Sequence, residues 1–120
     1  MKVMYVEYLH AGSFFSETTT KVTNTNCVNT IKSYLPNGAF GFRFYEREVQ
    51  VINNEELKGS PKNYSGWHYV GEKLSLEDVK YKHPDKRILI SNMENNGYSH
   101  VVFTKFGQFI PVGSKDVVLP

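Results

Sequence analysis

Cysteine is nearly absent from this chain: Cys27 is the single one in 120 residues. One thiol can close no internal disulfide and build no cysteine-rich zinc site, so disulfide scaffolds and zinc fingers drop out at once. Long apolar runs are missing too. No stretch approaches the roughly 18 residues of a membrane-spanning helix. The opening MKVMYVEYLH alternates and carries Glu7 where a secretory signal would be continuously apolar. The expectation is a soluble, cytoplasmic protein with no membrane partner. Excess charge is also lacking. Lys and Arg number 14 against 12 Asp and Glu, a net charge of +2, which is far from the basic surplus of a dedicated nucleic-acid binder.

The usual machinery of catalysis is equally thin. Catalysis needs a nucleophile, a base and something to orient it, or a set of metal ligands. The histidines His10, His68, His83 and His100 stand apart, with no HExxH pattern and no Cys-His cluster. No glycine-rich loop precedes a helix: Gly38-Ala-Phe-Gly41 opens into a strand and so lacks the helix N-terminus that binds phosphate. Acidic pairs such as Glu55-Glu56 and Glu77-Asp78 fall at turn and helix-start positions, where local electrostatics favour them. No catalytic residue, metal ligand or cofactor is expected, and the balance leans to a non-enzyme.

What is present reads as one α+β domain over residues 1–120, a mostly antiparallel sheet of about six to eight strands with two or three short helices. Residues 3–9 and 14–22 form a hairpin around a His-Ala-Gly-Ser turn. Val28, Ile31 and Leu35 recur at helical spacing, and Pro36-Asn37-Gly38 stops that helix. AFGFRFYEREVQVI is the clearest strand, with Phe40, Phe42 and Phe44 on one face and Gly41, Arg43, Tyr45 and Arg47 on the other. Asn53-Asn54 is a turn, and GWHYVG is a further strand. Ser75 to Asp78 has the form of a capping box and starts a helix that ends before Pro84. Ile88-Leu89-Ile90 reads as a short buried strand, followed by one helical turn capped at Ser91 with Glu94 and stopped at Gly97. A hairpin around Phe106-Gly107 closes the chain.

Binding chemistry is better represented. The chain has three arginines against eleven lysines, and Arg43 and Arg47 share a strand face about 13 Å apart. That spacing suits two acidic ends of a nucleotide-sized ligand. Tyr45 lies between them. In KNYSGWHY, Asn63 and Tyr64 combine a polar edge with an aromatic surface beside Lys62, a pairing that can stack a base and hold a phosphate. Asn92, in the first turn of the proposed helix, has a donor and an acceptor near free backbone N–H groups, and Lys105 adds charge. Each also has a structural reading: cross-strand ion pairs for the arginines, core packing for Trp67 and Tyr69, and turn formation for Asn95 and Asn96.

Taken in order, GFRFYER, PKNYSGWHY, ILISNMENNGY and VVFTKFGQFIPV resemble a group of short accessory proteins of tailed phages and prophages, over most of the chain. The resemblance implies a host-cell inhibitor of bacterial immunity. The leading expectation is a phage anti-defence protein that sequesters a small nucleotide-derived signal as a homo-oligomer. The alternatives are a module that binds a host defence protein directly, and a small nucleotide-signal hydrolase using His68 or His100.

Overall fold

The fourteen-residue strand AFGFRFYEREVQVI organises the N-terminal half. In a computed structural model that describes residues 1–12, 14–17, 27–33 and 35–119, the chain divides into two compact units, Met1–Trp67 and His68–Pro120. It is a mixed α+β structure rich in antiparallel strand pairs.

In the first unit, β1 (Lys2–His10) pairs antiparallel with β2 (Phe14–Glu17) on one side and with the long strand, β3 (Ala39–Ile52), on the other. Between them on the chain lies α1 (Cys27–Ser33). The rest of the expected return strand, up to Val22, lies outside the described residues, as does Ser13. Tyr5 faces Tyr45 and Glu7 faces Arg43 across the β1–β3 ladder. Beyond β1, β3 continues into a hairpin with β4 (Glu55–Lys58) through Asn53 and Asn54. Both turn residues have positive φ, 52° and 64°. A two-residue turn of this hand matches the twist of the strands, and asparagine tolerates it better than other non-glycine residues.

Alternation along β3 leads one to expect one covered face and one open face. Both are covered along its first half. Phe40, Phe42 and Phe44 are buried with Val6 and Tyr8 of β1, while Val3, Tyr5, Tyr45 and Val49 form a core cluster on the other face. Burial pushes the Tyr8 phenol up. At the start of β1 the Met1 ammonium donates to Glu48 Oε1 at 2.7 Å, holding that carboxyl below its usual range.

In the second unit, β5 (His68–Val70) pairs parallel with β9 (Val117–Leu119). Its other sheet is antiparallel, with β7 (His100–Phe103) between β6 (Glu72–Ser75) and β8 (Phe109–Pro111). α2 (Leu76–Lys82) begins as the sequence indicates, with Ser75 Oγ accepting the Asp78 backbone N–H at 3.2 Å. Ser75→Ala should cost about 1 kcal/mol of stability, read as a lower urea midpoint with unchanged slope; Ser75→Asp should keep most of it.

The expected strand at Ile88-Leu89-Ile90 is instead helical. After a 3₁₀ turn at Pro84–Lys86, α3 runs over Arg87–Asn95. Ile88 and Leu89 are 80% and 42% exposed, and of the three only Ile90 is buried. Ile90 and Met93, one turn apart, pack on Leu76, Val79 and Val101; that i, i+3 pair sets the period. The helix ends at the expected Gly97 stop. Gly97 has φ +87° and its N–H bonds to Glu94 O, while Tyr98 N–H reaches Met93 O, the bonding of a Schellman cap.

Candidate functional site

Five of the seven residues singled out from the sequence, Arg43, Tyr45, Arg47, Asn63 and Tyr64, lie in the first unit around β3. What joins them is residues 62–65 running along the β3 edge. Lys62 and Glu46 exchange backbone hydrogen bonds at 2.8 Å, Ser65 N–H donates to Phe44 O at 2.9 Å, and Ser65 Oγ accepts from Phe44 N–H at 2.9 Å. This places Tyr64 and Trp67 over the face that carries Arg43. The Arg43 guanidinium carbon is 4.1 Å from the Tyr64 ring centroid and 4.5 Å from that of Trp67. Glu7 Oε1 accepts from its Nη2 at 3.1 Å.

A planar cation between two rings, with a partly buried carboxylate at its edge, is a strong intramolecular arrangement. It fastens residues 62–67 to the sheet. Arg47 does a similar job further along, donating to Gly59 O at 2.7 Å with its guanidinium carbon 5.4 Å from the Tyr45 ring. Tyr45 is core, not a stacking platform. It is 1% exposed and sits between Tyr5, at 5.9 Å and nearly parallel, and Tyr64, at 5.2 Å. Asn63 takes a left-handed backbone (φ 55°) and donates to Glu46 Oε2 at 3.0 Å. Tyr64 is 40% exposed.

Asn92 and Lys105 belong to the second unit. Asn92 was expected in a first helical turn; α3 starts at Arg87, so it lies deep in the helix, away from free N–H groups. Its carbonyl accepts from Asn96 N–H at 3.2 Å and Asn96 Nδ2 at 2.9 Å. Lys105 is exposed in the turn after β7, its Nζ 5.3 Å from the Phe106 ring centroid.

The second unit holds a cavity of about 640 Å³ whose walls come from separate parts of the sequence. Lys73 comes from β6, Asn96, Tyr98 and Ser99 from the connection after α3, His100 from the start of β7, and Ser114 from the β8–β9 connection. Hydrogen bonds brace these segments. Leu76 N–H donates to Ser99 O at 3.1 Å, Val112 N–H to His100 O at 3.0 Å, and Asp116 braces its own turn by accepting Gly113 N–H at 2.7 Å. Ser99 Oγ and His100 Nδ1 are 2.8 Å apart, which leaves Nε2 as the ring nitrogen that can meet a ligand.

The volume is in the range of small-ligand sites. Its lining offers an ammonium, two hydroxyls, an amide, an imidazole, a phenol ring and the Asp116 carboxylate, which accepts the Gly113 N–H, a set suited to a polar ligand. Among the described residues, no group of three or more His, Cys, Asp or Glu could hold a metal ion, and no helix is long and apolar enough to cross a membrane. The chain matches no protein-family model, no curated protein and no solved structure.

Proposed function

We propose that this chain is a non-enzymatic binder that sequesters a small nucleotide-derived signal, as a phage protein directed against host immunity. The cavity bounded by Lys73, Tyr98, Ser99 and His100 carries the reading. Lys73 would meet a phosphate, Ser99 and Ser114 would serve phosphate or ribose oxygens, and Asn96 and Tyr98 would take a base by its edge and face. The Arg43–Tyr64–Trp67 stack has a supporting part, since its cation is already paired with Glu7. The resemblance to short tailed-phage proteins supplies the setting, a host cytoplasm with nucleotide-based immune signalling, and a homo-oligomer belongs to the same reading.

Recovery of the ligand separates sequestration from hydrolysis. The protein is incubated with cyclic dinucleotides or cyclic ADP-ribose isomers, stripped of unbound material and denatured. The released nucleotide should be chemically unchanged and near stoichiometric with protein. Conversion that His100→Ala abolishes would instead make Ser99 and His100 a nucleophile–base pair.

A second reading, direct binding of a host defence protein, has one observation in its favour. Tyr81 and Ile88 are strongly exposed beside Lys82 and Arg87, and tyrosine and arginine are favoured anchors of protein interfaces. A defined host protein that binds the wild type, and binds Tyr81→Ala and Ile88→Ala much more weakly, would establish it.

A further inference from the structure

The β3–β4 hairpin ends in an open edge. Among the described residues β4 pairs with β3 alone, and all of Glu55–Lys58 is exposed. Its ladder can be phased. Ile52 and Glu55 flank the two-residue turn and so form the hydrogen-bonded closing pair. Gly59 N–H donates to Glu48 O at 2.8 Å, in the same phase. Gln50 with Leu57 is therefore a bonded pair, whereas Val51 with Glu56 and Val49 with Lys58 are not. Glu56 and Lys58 consequently aim their backbone N–H and C=O groups away from β3, toward the open edge.

We infer that β4 is a self-association edge, and that its occupant is β4 of a second copy, antiparallel about a two-fold axis. An axis of this kind, perpendicular to the sheet, keeps each side chain on its own face, so facing residues must be an even number of positions apart. With Leu57 on the axis, each Glu56 faces the partner's Lys58. These are the residues whose backbone groups point outward, so each such pair exchanges both hydrogen bonds and places opposite charges side by side. The two Leu57 side chains meet on the other face, which Ile52 shares; Leu57 is 52% exposed in the single chain. The neighbouring allowed register puts Glu56 against Glu56 and is disfavoured. Charge on an edge strand ordinarily discourages pairing. Here it is self-complementary in one register, which both permits a dimer and sets its alignment. In the single chain the Lys58 Nζ lies 5.0 Å from the Tyr5 ring centroid, across β3 on the same face as Glu56, so its long, flexible side chain swings outward to meet the partner strand.

This deepens the homo-oligomer part of the reading above, and its failure would leave the cavity and its ligand untouched, because sedimentation reads one and ligand recovery the other. Sedimentation velocity of the whole chain over a concentration series should show a monomer–dimer equilibrium. Glu56→Lys alone sets Lys against Lys, and Lys58→Glu alone sets Glu against Glu, twice per dimer. Each should lower the association constant about tenfold or more. An equal mixture of the two variants restores both opposite-charge pairs and should recover the dimer. A wild type that stays monomeric throughout, single variants that associate like wild type, or a mixture no better than its components would each overturn the inference.

Discussion

Phe42→Ala should destabilise the first unit by about 3–5 kcal/mol, the usual range for removing a fully buried phenylalanine. Phe42 is 0% exposed, faces Tyr8 across the β1–β3 ladder, and packs edge-on against Phe44 at 5.8 Å. Truncation removes the transfer contribution of the ring and leaves a void between strands that are bonded on both sides, so the site collapses only in part. Phe42→Leu keeps most of the volume and should cost under about 1.5 kcal/mol. Urea unfolding followed by near-ultraviolet signals distinguishes the two. Equal midpoints for Ala and Leu would show that the ring is not held in a tight core.

Gly71→Ala has the other large expected effect, from the opposite cause. A Cβ at Gly71 would stand 2.6 Å from Phe103 O and 2.7 Å from Val102 Cγ2. The first of these is backbone, so relief requires parting β6 from β7, whose ladder starts at the Glu72–Phe103 pair. A loss of about 2–3 kcal/mol is expected, in the upper range for overpacking. Gly97→Ala is the control. It has positive φ but nothing within 4 Å of the added carbon, so it should show only the conformational cost of a left-handed alanine, about 1 kcal/mol. Thermal unfolding by calorimetry ranks the pair; a Gly97 variant less stable than the Gly71 variant would reverse the assignment of causes.

Local signals carried much of this fold. The Phe40-Phe42-Phe44 alternation, the Asn53-Asn54 turn, the Ser75 cap and the Gly97 stop are each set by neighbours within a few residues, and each stands where expected. The failures involve competing local signals. Ile88-Leu89-Ile90 looks like a buried strand, yet burial selects Ile90 and Met93 and leaves Ile88 and Leu89 outside. Pro84 reads as a terminator of α2, and it also opens the 3₁₀ turn that leads into α3. The Ser91-to-Glu94 capping pattern therefore falls inside a helix, where it caps nothing. β9, three residues long, gave no periodicity to detect.

Sites were harder to read than strands for a related reason. Strand alternation puts Arg43, Tyr45 and Arg47 on one face, whereas Asn63 and Tyr64 reach that face only through the backbone bonds of residues 62–65 to β3. Their partners are what decide their roles, and Glu7, Tyr5, Glu46 and the Gly59 carbonyl are supplied by other strands and loops. The cavity has four sources: β6, the α3–β7 turn, the head of β7 and the β8–β9 connection. Its contiguous traces are Asn96 to His100 and Val112 to Ser114, and each has the composition of an ordinary helix stop or turn, which is how sequence alone reads it.

Isothermal titration of the whole chain with cyclic dinucleotides and cyclic ADP-ribose isomers, comparing wild type with Lys73→Ala, tests the central claim most directly. Lys73 is exposed, so its removal should leave the fold intact. One ligand of the set should bind wild type saturably, and Lys73→Ala should weaken it about tenfold or more, the loss of one charge-assisted hydrogen bond. No heat with any of these ligands, or equal affinity in the two proteins, would contradict a nucleotide site built around Lys73 and His100.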